Sequence, residues 1–416
     1  MSTPIPTTLP AKSNYLVCRN SLLLLWLSHL LIDFCTGIWP IYKTIAGVDL
    51  IHAGLMVGST SFCGEILQIV FGYFSDKGKR KTILLLGLFL SSLILMITFS
   101  GNLSHSFWLL LVLAIGSGAF HPAAMGFAGS ISKLHKGKVI LFFASGGALG
   151  LGISQLTFVH VLTLFDGHVW VLFIPFLIVI TLVYFNRFPK QTLSENKISL
   201  RRFFEPLLKH KRSLSLLYCA QVANLGLFFS FTFLLPDLLR AKGCHSWLCM
   251  GGGHLCFILG SALIMVPAGI LSDRFGQKKV LITVLSFALC LFYCFLLFPS
   301  LSFLLSALLL SVLGAFLGII NPILVSWGHR LAPEHPSTIS GLLMGCAACF
   351  GGLGALLVGF LTHSFTEEPI VYAMGTMGLL MFLCLTLILF MPTISIRQES
   401  EIILEGPEKV EQEESP

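Results

Sequence analysis

Charge is scarce in this sequence. Only 11% of its 416 residues are charged, whereas 55% are hydrophobic. A water-soluble chain of this length exposes a large surface and needs much more charge to cover it. The composition therefore excludes an ordinary soluble domain and indicates that lipid is the main solvent of the chain.

Evenly distributed charge is lacking as well, because long apolar stretches alternate with short clusters of Lys and Arg. A helix needs about 20 apolar residues to cross the hydrocarbon core of a bilayer. Twelve stretches are long enough, and they predict an all-α membrane protein with twelve transmembrane helices. The predicted spans are residues 21–42, 52–74, 82–100, 106–130, 139–163, 168–186, 214–238, 248–271, 280–298, 302–327, 338–362 and 370–391.

Motifs that other function classes require are also missing. The sequence has no Walker A motif, so direct use of ATP would need a partner protein. No Cys/His/Ser constellation or metal motif stands at a predicted interface, which argues against a membrane enzyme. No loop resembles an ion-selectivity filter, which disfavours a channel.

Neither the net charge of +7 nor the 12 Cys change this interpretation. The basic residues lie between hydrophobic spans and not on a soluble face, so no nucleic-acid partner is predicted. Most cysteines, including Cys346 and Cys349, lie within apolar runs, where such thiols are packing residues, and no metal site or cofactor is predicted. Cys244 and Cys249 flank a predicted outer loop, but their spacing does not decide whether they pair.

The basic clusters predict the orientation of the chain. If the N-terminus is cytoplasmic, only Lys43, Arg240 and Lys242 of the 26 Lys and Arg lie outside, as the positive-inside rule requires. Both termini are then cytoplasmic, and the protein is expected in a bacterial inner membrane. The predicted parts are a cytoplasmic N-terminal segment (1–20), a six-helix bundle (21–186), a basic cytoplasmic loop (187–212), a second six-helix bundle (213–392) and an acidic disordered tail (393–416).

The two halves share a loop pattern of Gly, three residues, Asp and a basic residue. Further matches pair Gly118 and Pro122 with Gly318 and Pro322 at nearly the same offset. Matches at equivalent places predict two like-oriented bundles around a central pathway. The loops are predicted to gate this pathway, and the alternative is a topological anchor with no moving role. The loop residues are Gly72, Asp76, Lys77 and Arg80 in the first half, and Gly269, Asp273, Arg274 and Gly276 in the second.

These loops resemble the signature loop of the major facilitator superfamily. The second copy has Gln277 where the pattern has a basic residue, and the first copy is one residue shorter between Lys77 and Gly78. With the twelve spans and the basic central loop, the resemblance covers essentially the whole chain. It implies the major facilitator fold, with two pseudo-symmetric six-helix bundles, and secondary transport.

A narrower resemblance lies in the first half. The run Leu27-Ser28-His29-Leu30-Leu31-Ile32-Asp33 and the triplet Phe120-His121-Pro122 resemble the fosmidomycin-resistance type of drug exporter. This resemblance implies export of a small organic compound in exchange for protons. The acidic residue that follows His-Pro in that family, and the basic residue after it, are absent here, where Ala123, Met125 and Gly126 stand.

Ionisable groups within the spans are candidates for proton coupling, because they are costly in lipid unless they face a partner or a polar cavity. His29 and Asp33 share one helix face, and a carboxylate beside an imidazole can hold and pass a proton. Glu65 lies within a stripe of small and polar residues, and the alternative is a protonated packing residue. His121 precedes Pro122, and its alternative role is to satisfy the carbonyl that the proline frees.

Substrate contacts are predicted from the second half. Asn321 and Pro322 occupy the place of His121 and Pro122 without an ionisable group, which concentrates proton chemistry in the first half. The predicted substrate-binding residues are Gln221, Asn224, Asp237, His254 and Asn321. The sequence thus predicts a monomeric, proton-coupled exporter that works by alternating access. The alternative is uptake of a sugar, organic acid or nucleoside on the same scaffold.

Overall fold

A computed structural model describes residues 12–99, 101–131, 136–188, 210–298, 301–332 and 339–392. Within these ranges the chain is built from helices joined by short connections. Residues before Lys12, residues 189–209 of the central loop and the acidic tail lie outside the described part. The predictions made for those segments therefore remain predictions.

The first half contains six membrane spans, numbered here in chain order. Several are divided by a local change of helix type, because a glycine or a tightened turn interrupts the regular helix. The spans are the first, Lys12–Thr36 with Ile38–Ile45; the second, Leu50–Phe74; the third, Arg80–Ser92 with Leu93–Phe99; the fourth, Leu103–Ile131; the fifth, Lys136–Leu164; and the sixth, Trp170–Leu172 with Phe173–Phe185.

The second half repeats this arrangement. Its spans are the seventh, Lys211–Ala241; the eighth, Leu248–Gly252 with Gly253–Phe275; the ninth, Gln277–Leu297; the tenth, Phe303–Leu331; the eleventh, Gly341–Cys346 with Ala347–Thr362; and the twelfth, Pro369–Met377 with Leu379–Leu389.

Length and hydropathy of the described helices agree with a membrane protein. Ten helical segments are long and apolar enough to cross a bilayer, and one of them, Leu50–Phe99, contains both the second and the third span. The shorter apolar helix Trp170–Phe185 is the sixth span. The predicted all-α fold with two six-helix halves is confirmed.

The two ends of the bundle are named here by the connections they carry. The Asp49 end holds the connection between the first and second spans, and the Asp76 end holds the connection between the second and third. At the Asp76 end Gly78 has φ +90 and Gly276 has φ +85, a backbone conformation that glycine adopts without steric cost. These two equivalent glycines let the chain reverse direction in each half.

The halves pack closely near the Asp49 end, where small residues bring helix backbones together. A Cβ atom on Gly54 of the second span would lie 2.5 Å from the carbonyl oxygen of Ala355 on the eleventh. One on Gly251 of the eighth span would lie 2.5 Å from the backbone nitrogen of Leu156 on the fifth. Glycine is therefore needed at both crossings.

Candidate functional site

A cavity of about 510 Å³ lies between the two halves. Its walls come from spans of both bundles, and its volume is in the range of sites that bind small organic molecules. Six of the residues predicted to act in proton coupling or substrate binding line it. These are Asp33, Glu65, His121, Gln221, His254 and Asn321.

Asp33 stands between two histidines on the cavity wall. Its Oδ2 lies 3.3 Å from Nε2 of His29, and its Oδ1 lies 3.6 Å from Nε2 of His121. His29 is buried behind Asp33, with 8% of its surface exposed. The predicted pair on the first span thus gains a second imidazole from the fourth span.

Hydrogen bonds to the backbone fix how the two imidazoles face the carboxylate. His29 Nδ1 donates to the carbonyl of Phe143 at 2.9 Å, and His121 Nδ1 donates to that of Ser117 at 2.9 Å. With Nδ1 protonated, a neutral imidazole has a lone pair on Nε2. Two such lone pairs facing an ionised carboxylate repel it, so the cluster is stabilised when at least one proton lies between these groups.

The fifth span closes the back of this cluster. A Cβ atom on Gly147 would overlap Oδ2 of Asp33 and Nε2 of His29. The ring of Phe143 stacks on His29 with 4.2 Å between ring centres. Gly147 therefore leaves room for the pair, and Phe143 fixes the plane of the imidazole.

The same three groups have ligand atoms within 4.8 Å of one another, a spacing that a metal ion can bridge. In the structure the imidazoles pair directly with the carboxylate, so a proton satisfies the cluster without an ion. The prediction that the protein has no metal site stays a prediction.

Glu65 lies on the cavity wall formed by the second span. Its Oε2 accepts a hydrogen bond of 2.6 Å from Nε2 of Gln68, one helical turn away. The carboxylate therefore lies at the cavity wall and is hydrogen-bonded within its own helix, and its role in proton coupling or in packing stays a prediction.

The second half contributes an amide pair and a histidine. Gln221 Nε2 donates to Oδ1 of Asn321, which joins the seventh and tenth spans. His254 Nε2 donates to the carbonyl of Leu151 at 3.0 Å, a contact between the halves. Oε1 of Gln221 and Nδ1 of His254 are buried without a described hydrogen-bond partner.

Two predicted substrate contacts are placed elsewhere. Asn224 is buried and is not part of the cavity lining. Asp237 forms an ion pair with Lys43, whose side chain is fully buried, and is also not part of the lining. Asn224 follows Gln221 by three residues and so lies only about 60° from it around the helix axis; its side chain is nonetheless buried.

The ion pair between Lys43 and Asp237 was not predicted as part of the site. It joins the first and seventh spans, and Lys43 Nζ also lies 4.5 Å from the ring centre of Phe233. A neighbouring contact from Arg240 Nη1 to the carbonyl of Thr44, 2.9 Å long, joins the same spans. The signal in the sequence was a single lysine within the otherwise apolar helix Ile38–Ile45.

A third contact between the halves lies at the surface of the Asp49 end. Asp49 accepts a 3.0 Å hydrogen bond from the backbone N–H of His52, and its Oδ2 lies 3.2 Å from Nε2 of His363 on the eleventh span. The backbone N–H of His52 is the main cause that lowers the pKa of Asp49 below its usual value of 3.8. Together with the contacts of Lys43 with Asp237 and of Arg240 with Thr44, these groups hold the halves together at the Asp49 end.

The repeated loops make equivalent contacts at the Asp76 end. Asp76 pairs with Arg80 at 3.1 Å, and Arg80 also donates to the carbonyl of Gly126 on the fourth span. In the second half Asp273 pairs with Arg330 on the tenth span. These contacts tie each loop to its own half. Of the other predicted loop residues, Gly72 and Gly269 lie in the last turns of the second and eighth spans, and Lys77 and Arg274 follow each Asp.

The family scan matches the Major Facilitator Superfamily over residues 22–253 and 246–409. The chain therefore belongs to this superfamily of membrane transporters, and it is a transporter and not an enzyme. The resemblance seen in the loops is confirmed.

Two relatives illustrate the range of similar proteins. The MFS-type transporter YfnC of Bacillus subtilis is 23% identical over 384 residues, which cover 87% of this chain and 92% of the relative. The fosmidomycin resistance protein of Escherichia coli is 24% identical over 365 residues, 83% of this chain and 87% of the relative.

Solved structures show the same fold at low identity. A bacterial homologue of the human lysosomal transporter Spinster, in an inward-facing and occupied conformation, gives a TM-score of 0.71 at 14% identity and covers 92% of this chain and 97% of its own. The nucleoside transporter NupG gives 0.69 at 14% identity, with 89% and 98% covered.

Proposed function

We propose that the protein is a proton-coupled secondary transporter that exports a small organic compound by alternating access. The observation that carries this proposal is the cluster of Asp33, His29 and His121 on the wall of a cavity between two bundles. An ionisable group inside the membrane that faces a cavity and has a partner is typical of a proton site.

Access to the cavity follows from the contacts between the halves. Lys43 with Asp237, and Asp49 with His363, close the Asp49 end. The side chains of Asp33 and His121 are 21% and 32% exposed, which supports access for water from the end that these contacts leave open. The basic clusters favour a cytoplasmic location for the Asp76 end. In this orientation the structure represents the state that takes up its substrate from the cytoplasm.

Protonation supplies the driving force. When the Asp33 cluster gains or loses a proton, the charge on the cavity wall changes by one unit. A coupled charge is worth about 2.3 kcal/mol per 100 mV of membrane potential. We propose that the cluster loses its proton in the state open to the cytoplasm and regains one after the halves rock to open the Asp49 end. We also propose that the protein acts as a monomer in a bacterial inner membrane.

Export is favoured over uptake by the relative whose name records fosmidomycin resistance. The likeness to a nucleoside transporter, at 14% identity, supports the fold alone. Transport of a nutrient into the cell remains the alternative, since the same cavity and proton cluster serve either direction.

Flux measurements test the proposal. Purified protein is screened by thermal shift against antibiotics and metabolites, and a stabilising compound is then used with proteoliposomes under imposed pH gradients of both signs. We expect the compound to move against its gradient, opposite to the proton flow. Movement in the same direction as protons would establish uptake, and flux that ignores both gradients would contradict proton coupling.

A further inference from the structure

We propose that the cavity binds an amphiphilic organic cation with N–H donors, and that Glu65 is the carboxylate that receives its charged group. This inference rests on the proposed transport function and specifies its substrate class. It goes beyond the narrower family resemblance, which implies only a small organic compound.

The first observation that supports a cationic substrate is the charge of the cavity wall. The described lining contains two carboxylates, those of Asp33 and Glu65, and two imidazoles, those of His121 and His254, and neither Lys nor Arg occurs among its described residues. The neighbouring cation Lys43 is fully buried and paired with Asp237. An anionic substrate would therefore approach carboxylates without the arginine or lysine that anion sites use.

The second observation that supports this substrate class is the hydrogen-bonding capacity of the cavity wall. Two atoms of lining residues lack a described partner, Oε1 of Gln221 and Nδ1 of His254; both are acceptors, because His254 donates through its other nitrogen, and both are buried beneath the cavity surface. Three of the five hydroxyl groups among the lining residues donate to carbonyls of their own helices, which leaves their oxygens as acceptors. These hydroxyls belong to Thr36, Thr60 and Thr232. These three hydroxyl oxygens, together with the carboxylate of Glu65, therefore offer acceptors to a ligand that brings donors.

The third observation that supports this substrate class is a group of aromatic residues in the cavity wall. Trp39, Phe228, Phe229 and Phe233 line the cavity beside these acceptors. Aromatic rings accommodate the apolar part of a ligand and attract a cation placed over their faces. An amphiphile with one cationic end matches this combination better than a uniformly polar molecule such as a sugar.

The two carboxylates are available to different degrees. Both oxygens of Asp33 face imidazoles, at 3.3 and 3.6 Å. Glu65 has Gln68 on Oε2, and no hydrogen-bond partner is described for Oε1. Glu65 is therefore the group that can accept the ammonium or amidinium end of a substrate while Asp33 keeps its proton partners.

The separate roles of Asp33 and Glu65 explain how the protein exchanges protons for substrate. Loss of a proton from the Asp33 cluster makes the cavity more negative by one charge, which strengthens binding of a cation at Glu65. When the cluster regains the proton, binding of the cation at Glu65 becomes weaker. Proton and substrate thus compete through the field of one cavity, as an antiporter requires.

A matched pair of dyes tests the substrate class. The cationic methyl ester of a rhodamine and its free acid share one aromatic core and N–H donors, but the acid adds a carboxylate. Fluorescence anisotropy with purified protein in nanodiscs, without any gradient, measures the binding of each. We expect the ester to bind on the order of tenfold more tightly than the acid, as expected for one charge-assisted hydrogen bond. Equal or tighter binding of the acid, or binding of neither dye, would overturn the proposal.

Variants test the role of Glu65. Glu65→Gln should weaken binding of the ester on the order of tenfold and leave the acid nearly unchanged, whereas Glu65→Asp should keep most of the preference. Glu367→Gln removes an exposed carboxylate outside the cavity and serves as the control. Ester binding unaffected by Glu65→Gln would overturn the assignment. A further outcome is that another compound shows gradient-driven flux while the protein has no preference for the ester. This result would contradict the proposed cationic substrate class but would still support proton-coupled transport.

Discussion

Gly147 shows how closely a single residue position controls the proposed proton site. It stands behind Asp33 and His29, where a Cβ atom would overlap both side chains. The sequence showed only that the fifth span is rich in small residues. The need for glycine at this position comes from two side chains on another helix, so no local pattern identifies it.

We expect Gly147→Ala to displace Asp33 or His29 and to destabilise the fold by about 1–3 kcal/mol, as overpacking does. Proton-coupled flux in proteoliposomes should fall much more than the amount of folded protein in gel filtration. Gly341→Ala is the matched control, because a Cβ atom there meets nothing within 4 Å. Equal flux in both variants would show that the cluster tolerates the methyl group.

Whereas Gly147 is tightly packed against two polar side chains, Gln155 is a buried residue whose side chain has no described hydrogen-bond partner. Its side chain is 0% exposed, and neither polar atom has a described hydrogen bond. It lies on the fifth span beside Gly251 of the eighth, at the crossing of the two halves. An unpaired buried amide destabilises the closed Asp49 end relative to an open one in which water reaches it.

We therefore expect Gln155→Leu to stabilise the structure described here by about 1–3 kcal/mol. Thermal unfolding should shift upward, and transport should slow because the Asp49 end opens less often. Gln277→Leu is the comparison, since Gln277 is buried but donates to Ser326 at 3.4 Å and should lose stability. A lower melting temperature for Gln155→Leu would contradict this account.

At the scale of helices and their contacts, the ion pair of Lys43 and Asp237 is the main connection between the first and seventh spans. A buried charge that loses its partner typically costs about 3–5 kcal/mol, whereas replacing both charges with apolar residues is often neutral. We expect Lys43→Met or Asp237→Leu alone to impair folding, and the double variant to recover most of the stability. Thermal unfolding of the four proteins as a double-mutant cycle measures this coupling, and purely additive losses would exclude it.

The cap of the second span gives a pH dependence. Because the pKa of Asp49 is lowered, its ionised form stabilises the folded state at pH values above the usual 3.8, and this contribution is lost as pH falls through the lower folded value. Asp49→Asn should therefore lower the melting temperature at neutral pH. The difference from the wild type should shrink below pH 3.8, and a constant difference across this range would contradict the assignment.

Sequence patterns predicted the helices better than the contacts between them. Hydropathy is a local property, so all twelve spans were found, although the first extends from Lys12 to Ile45 where residues 21–42 were predicted. The four-residue spacing of His29 and Asp33 likewise predicted their contact. The approach of His121, and the pairing of Lys43 with Asp237, depend on how distant helices cross, which no spacing in one segment records.

At the scale of the whole molecule, the repeated loops stabilise each half separately, whereas the two halves line the cavity with different residues. Each Asp of the repeated loops pairs with an arginine inside its own half, so the bundles are stabilised as separate bodies. The ionisable groups facing the cavity come mainly from the first half, and the amides from the second. Halves with different linings suit the proposed cycle, in which one half titrates and both halves hold the substrate.

The direct test of proton coupling uses Asp33→Asn in proteoliposomes that contain a pH-sensitive dye. Adding a transported compound to the wild type should move protons across the membrane. The variant should still exchange labelled for unlabelled compound but should no longer move protons with it. Undiminished proton movement by Asp33→Asn would contradict the assignment of the cluster as the coupling site.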